Sequence, residues 1–173
     1  MLGDRFQLQT LNDIGFTDEI PEDYDTLEEN ASQKAWHIYN RFNTDCFADD
    51  TGLEVDALDG APGVFSARFA GEQKNSSDNI VKLLSKLKGK TNRSAQFRTV
   101  MAVILKGSEY RFEGIVRGKI IDHLRGDSGF GYDPIFIPEG YGLTFAEMEL
   151  ELKNTISHRG QAIRKLTEFL LSI

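Results

Sequence analysis

The stretch Phe97-Arg98-Thr99-Val100-Met101-Ala102-Val103-Ile104-Leu105, followed by Lys106-Gly107-Ser108 and then Tyr110-Arg111-Phe112-Glu113-Gly114-Ile115-Val116, decides the fold. The first run is strongly apolar and rich in β-branched residues, Gly107-Ser108 supplies a turn, and the second run alternates in part. Together they predict an antiparallel hairpin. Helical patterns lie on either side of it. Thr26-Leu27-Glu28-Glu29 matches a capping box, and Leu27, Ala31, Ala35, Ile38 and Phe42 make one apolar stripe, so a helix is expected from about Thr26 to Asn43. Ser76 to Lys88 predicts a second, with Ile80, Leu83, Leu84 and Leu87 inward and Gly89 as its stop. Gly160 to Leu171 predicts a closing helix, with Ile163, Leu166, Phe169 and Leu170 inward. Helices intermixed with strands and a hairpin indicate an α/β or α+β fold around a mixed sheet.

Further short strands are expected. Arg5 to Leu11 alternates and reads as one. Thr44 to Ala48 reads as another, ending in an acidic turn, with Glu54 to Leu58 as its continuation or hairpin partner. Pro134 to Pro138 reads as a third.

The chain has 173 residues, enough for a single domain with a core of its own. Its net charge of -7 argues against non-specific binding to nucleic acid or anionic membrane. Cys46 is the one cysteine, in an apolar stretch with acidic neighbours, and is expected to be a core thiol. No segment has the apolar length of a membrane span and no signal peptide opens the chain, so a cytoplasmic location is expected.

Four segments could carry chemistry. Asp49-Asp50-Thr51-Gly52 sets two carboxylates at the expected strand end, where only one should enter a cleft; it could bind a cation or polarise water, or be an exposed turn. An aspartic protease reading of Asp50-Thr51-Gly52 fails, because a charge precedes it and no second triplet exists. Glu29 could cap its helix or ligate a metal, with Glu28 as the spare acid. Asp127 to Pro134 is a glycine-rich loop whose Phe130, Tyr132 and Asp133 could form a base pocket or a plain turn. Lys153, His158 and Arg159 form a cationic cluster before the last helix. His37 and His123 stand alone and read as structural.

These segments, taken in order with Gly60-Ala61-Pro62-Gly63-Val64-Phe65-Ser66-Ala67-Arg68-Phe69-Ala70-Gly71 and Thr144-Phe145-Ala146-Glu147-Met148, resemble the inosine/xanthosine triphosphate pyrophosphatase family over almost the whole chain. The resemblance implies a single α/β domain, with a mixed sheet, two lobes and a central cleft. It implies a homodimer and Mg²⁺-dependent hydrolysis of ITP, dITP and XTP to monophosphate and pyrophosphate. By matching positions, Glu29 and Asp50 would bind Mg²⁺ and Asp50 would be the general base. Thr51, Phe130, Gly131, Tyr132, Asp133, Lys153, His158 and Arg159 would hold the nucleotide.

One departure stands out. Members begin with a strand and a loop of the form Thr/Ser-x-Asn-x-x-Lys that grips the triphosphate. Here Thr10 to Gly15 has Gly15 in place of the Lys, and Ser77 to Lys82 fits the letters only inside a predicted helix. The chain therefore reads as a member lacking its N-terminal strand and phosphate loop, and poor activity is expected of it as it stands. The alternative is a non-catalytic nucleotide-binding or dimerisation module.

Overall fold

The computed structural model describes residues 5–173. Helix α1 (Leu27–Phe42) leads into strand β1 (Cys46–Val55), a 3₁₀ turn (Asp56–Leu58) and the short strand β2 (Pro62–Gly63). Helix α2 (Ser76–Lys86) precedes the long strands β3 (Ser94–Leu105) and β4 (Ser108–Ile120). A 3₁₀ turn (Asp133–Ile135), strand β5 (Phe136–Pro138) and helices α3 (Leu150–Ile156) and α4 (His158–Ser172) complete the chain.

The sheet order is β2-β1-β3-β4-β5. The expected α/β architecture is present, with helices and strands intermixed along the chain. Every strand pairing among the described residues is antiparallel, so the mixing lies in the order of elements and not in strand direction. The expected hairpin is its centre: β3 and β4 pair from Ser94↔Lys119 to Leu105↔Ser108, and Gly107 turns the chain at φ 78°.

Helix α1 packs on one face of this sheet. Leu27, Ala31 and Ala35 meet Val100, Ala102 and Ile104, the alternate residues of β3. Half of the expected capping box forms: the Thr26 hydroxyl accepts from the Glu29 N–H, while the Glu29 carboxylate accepts from the Thr26 hydroxyl at 2.7 Å and not from the Thr26 N–H. At the other end Asn43, at φ 48°, closes the helix on the Tyr39 carbonyl. Helix α4 covers the opposite face, where Ala162, Leu166 and Leu170 meet Met101 and Val103. A third apolar cluster joins α2 and β5 through Leu83, Leu87, Phe97, Phe136 and Phe145. Burying each such side chain contributes roughly 1.5–3 kcal/mol, against about 0–1 for an exposed ion pair, so these clusters hold the fold.

The sequence expectations need five corrections. Arg5 to Leu11 is not a strand: Arg5 instead donates to the Leu171 and Ile173 carbonyls, and Leu8 and Leu11 stay exposed, no strand among the described residues pairing with this segment. The acidic turn does not exist, because β1 runs straight through Asp49 to Gly52, held by ladder pairs with β3 from Cys46↔Ile104 to Val55↔Ala95. Glu54 and Val55 therefore continue the strand. The last helix starts at His158 and follows a separate helix, α3, that the sequence pattern did not reveal. Ile163 is 36% exposed, since it faces the cleft described below. Cys46 is only half-buried, its thiol donating to the Ala35 carbonyl, and burial pushes its pKa up to about 11.

Gly114 of β4 lets α4 approach the sheet. A Cβ there would land on the His158 carbonyl oxygen and 2.9 Å from the Ala162 nitrogen, both backbone atoms. Gly114→Ala is expected to lower stability by about 1–3 kcal/mol and to shift the start of α4, measured by urea unfolding.

Candidate active site

Side chains of β1 alternate between the two sheet faces. Asp50 points to the α1 face and Asp49 to the α4 face, as their partners show. Asp50 is buried; its Oδ1 accepts from Lys34 Nζ at 2.7 Å, and its Oδ2 faces Asn30 Nδ2 at 3.5 Å. Asn30 and Lys34 lie one helical turn apart on α1, so one face of the helix presents both. Lys34 also reaches Glu22 at 2.8 Å, and Glu22 is held from its other side by Arg68 at 3.2 Å. Burial sets the Asp50 carboxyl above its ordinary range, Lys34 only partly opposing it and the charge of Glu22 adding to it. For Lys34, burial alone would lower the pKa, but Asp50 and Glu22 outweigh it and hold the ammonium charged.

On the α4 face, Arg159 places two nitrogens on Asp49 Oδ2, at 2.9 and 3.3 Å. The Thr51 hydroxyl is engaged with Asp49 at 3.1 Å and with the fully buried Thr99 at 2.6 Å, so it braces the strand. Nearby, the loop carrying Phe130 and Gly131 folds over the Asp133 carboxylate, which accepts from the Phe130 N–H at 2.8 Å and from Lys153 Nζ at 2.5 Å. Gly131 takes φ 60° and Gly129 φ 82°, conformations that glycine tolerates. Phe130 is 65% exposed, with the Lys153 ammonium 5.2 Å and the Arg159 guanidinium 5.9 Å from its ring centroid. Tyr132 is buried and donates to the Ser66 carbonyl; burial raises its pKa.

His158 is the most perturbed group. It is 5% exposed, stacks on Phe97 at 4.8 Å, and its Nδ1 has no hydrogen-bond partner among the described residues. Burial, then the charges of Arg159 and Lys153, drive its pKa down to about 3. The ring is therefore neutral at working pH and offers one donor and one acceptor nitrogen.

A cavity of about 1080 Å³ joins these parts, lined by Asp50 and Lys34 at one end and by Phe130, Lys153, His158 and Arg159 at the other. It reaches both faces of β1 because, on the side away from β3, the described strand pairs only at Leu53 and Glu54, with β2. Asp49 thus lines the cleft alongside Asp50, contrary to the expectation that one carboxylate alone would enter. The predicted nucleotide residues Thr51, Phe130, Gly131, Tyr132, Asp133, Lys153, His158 and Arg159 all line this cavity. Glu29 is exposed in its capping box and is not among the lining residues, and Glu28 pairs with Arg98.

Sequence reasoning missed Glu22, Lys34 and Arg68. Lys34 carried a usable signal, its spacing from Asn30 on a helix that packs beside β1; Glu22 and Arg68 lie in irregular segments and carried none.

The Ham1 family model matches residues 1–169. The chain belongs to the Ham1 family. Among its relatives, the dITP/XTP pyrophosphatase of Flavobacterium johnsoniae is 53% identical over 170 residues, covering 98% of this chain and 88% of the relative. That of Bacillus subtilis is 48% identical over 168 residues, covering 95% and 85%. The Ham1 protein structure from Staphylococcus aureus matches with a TM-score of 0.86 at 44% identity, covering 90% of this chain and 81% of that one.

The depressed His158 pKa sets a pH dependence in this Ham1-family chain. The folded state binds its proton more weakly than the unfolded state, where the value is near 6.5. Stability is therefore full above that value and falls as pH drops from 6.5 toward 3, at up to about 1.4 kcal/mol per unit. NMR titration should show the His158 ring neutral from pH 8 to 4, and His158→Phe should flatten the corresponding slope in unfolding experiments.

Proposed function

We propose that this chain hydrolyses non-canonical purine nucleoside triphosphates, ITP, dITP and XTP, to the monophosphate and pyrophosphate. The observation that carries the reading is the single cleft that runs from the buried carboxylate of Asp50 to the aromatic and cationic pocket of Phe130, Lys153, His158 and Arg159. The relatives at 53% and 48% identity are named as dITP/XTP pyrophosphatases, which supports dITP and XTP among these substrates.

Asp50 is the general base. Its raised pKa makes it a stronger proton acceptor than an exposed carboxylate, and it would take the proton of the water that attacks the α-phosphorus, with pyrophosphate leaving. The residues around Asp50 fit Mg²⁺. The carboxylates of Asp50 and Glu22 offer the oxygen atoms that Mg²⁺ takes, and the Lys34 ammonium already sits between them, so the site is built for positive charge. Asp50 would hold the ion, with Glu29 turning in from its cap at the same end of α1. When bound, Mg²⁺ neutralises the triphosphate and lowers the pKa of water.

The base stacks on Phe130. Lys153 and Arg159 can only donate hydrogen bonds, so they donate to a 6-oxo group and leave a 6-amino group opposed. The neutral His158 supplies a further donor or acceptor. We further propose a single-domain subunit acting as a homodimer in the cytoplasm; no helix among the described residues is long and apolar enough to cross a membrane.

Pyrophosphate release from ITP, XTP, ATP and GTP with Mg²⁺ tests the reading. The first two should be turned over at least tenfold more efficiently than ATP, and Asp50→Asn should lower kcat by about 10²–10⁴. Binding of IMP without turnover of any triphosphate would instead identify a non-catalytic binding module.

A further inference from the structure

We infer that Asp49, the neighbour of the general base, is a positioning residue for base recognition and acts through Arg159. The inference rests on the nucleotide reading above and adds a role on the opposite face of the strand.

Arg159 is the second residue of α4. A cation in the first helical turn faces the positive end of the helix dipole, so it needs a counter-charge to stay there. Asp49 supplies it. Both Nε and Nη2 donate to the same carboxylate oxygen, at 3.3 and 2.9 Å. Two contacts along one edge of a planar guanidinium fix its orientation as well as its position. The remaining nitrogen, Nη1, makes no hydrogen bond among the described residues, and the guanidinium carbon lies 5.9 Å from the Phe130 ring centroid, in the cleft. The edge left free is thus available to a base stacked on Phe130.

The carboxylate is itself anchored. Its Oδ2 also accepts from the Thr51 hydroxyl at 3.1 Å, and that hydroxyl is bonded to Thr99, which is fully buried. A chain of contacts therefore runs from the core of the sheet through Thr99, Thr51 and Asp49 to Arg159. Neither Lys34 nor Glu22 takes part in it, because both lie with Asp50 on the other face. The two adjacent acids divide the work: Asp50 serves the phosphate end and Asp49 the base end.

Calorimetry with IMP and with inorganic pyrophosphate, together with kinetics on ITP and ATP, tests this. Asp49→Asn keeps the shape and removes the charge. It should weaken IMP binding about tenfold, leave pyrophosphate binding within twofold, and lower the preference for ITP over ATP about tenfold through KM. In the double variant with Arg159→Gln, the loss of IMP affinity should equal that of Arg159→Gln alone, since Asp49 acts through that side chain. Thr51→Val removes the hydroxyl that anchors Asp49 and serves if Asp49→Asn does not fold; it should weaken IMP about threefold, and this loss should vanish in the Arg159→Gln background, where a direct contact of Thr51 with the nucleotide would still count. Additive losses in the double variant, or equal losses for IMP and pyrophosphate, overturn the positioning role. If the unaltered chain neither binds IMP nor hydrolyses ITP, the nucleotide reading itself falls. If it does both, and the Asp49 and Thr51 variants keep full IMP affinity, only the role of Asp49 falls.

Discussion

The two-residue period of β1 governs the site. Because consecutive side chains leave a strand on opposite faces, Asp49 and Asp50 face different helices. Asp50 meets Lys34 and Asn30 of α1, and Asp49 meets Arg159 of α4. A slip of one residue against β3 would exchange the two, putting Asp49 into the buried site beside Lys34 and Asp50 beside Arg159. Ten ladder pairs with β3 set against such a slip, and the apolar residues flanking the acids fix it further: Leu53 and Val55 are fully buried.

The other half of the site depends on a sharp junction. Ser157 ends α3 by donating its N–H to the Lys153 carbonyl, and it starts α4 by accepting from the Gly160 N–H. Gly160 has no room for a Cβ, which would strike the Asn154 carbonyl, and Gly114 brings the start of α4 against β4. This junction sets Lys153, His158 and Arg159 around one opening although they lie on two helices. Helix α3 buries none of its residues, so its position comes from this junction and from the Lys153–Asp133 pair more than from apolar packing.

The elements legible in the sequence are those specified by near neighbours. The Thr26 cap of α1, the stripe of α2 and the β3–β4 hairpin are short-range patterns, and each formed. The strand through Asp49-Asp50-Thr51-Gly52 was not legible, because turn-forming residues are overridden there by pairing with β3 some fifty residues away. Helix α3 lacks an apolar stripe to announce it, with Leu150 and Leu152 exposed. In the site, the residues named from the resemblance gather around the cleft, except Glu29, whose carboxylate the cap engages. Lys34, Glu22 and Arg68 escaped because their roles exist only through contacts between segments distant in the chain.

His158 carries a wider consequence. Its buried Nδ1 has no hydrogen-bond partner among the described residues, and leaving such a nitrogen unpaired costs of order 1–3 kcal/mol. A ligand that supplies the missing hydrogen bond relieves that cost and binds only the native state, so by mass action it adds about 2.7 kcal/mol of stability at one hundred times its dissociation constant. The folded lifetime of the protein is then tied to the abundance of what it recognises. Thermal melting in the presence of candidate nucleotides would rank them without any assay of chemistry, and in a cell scarce in such nucleotides the same protein would be the easier prey for proteases.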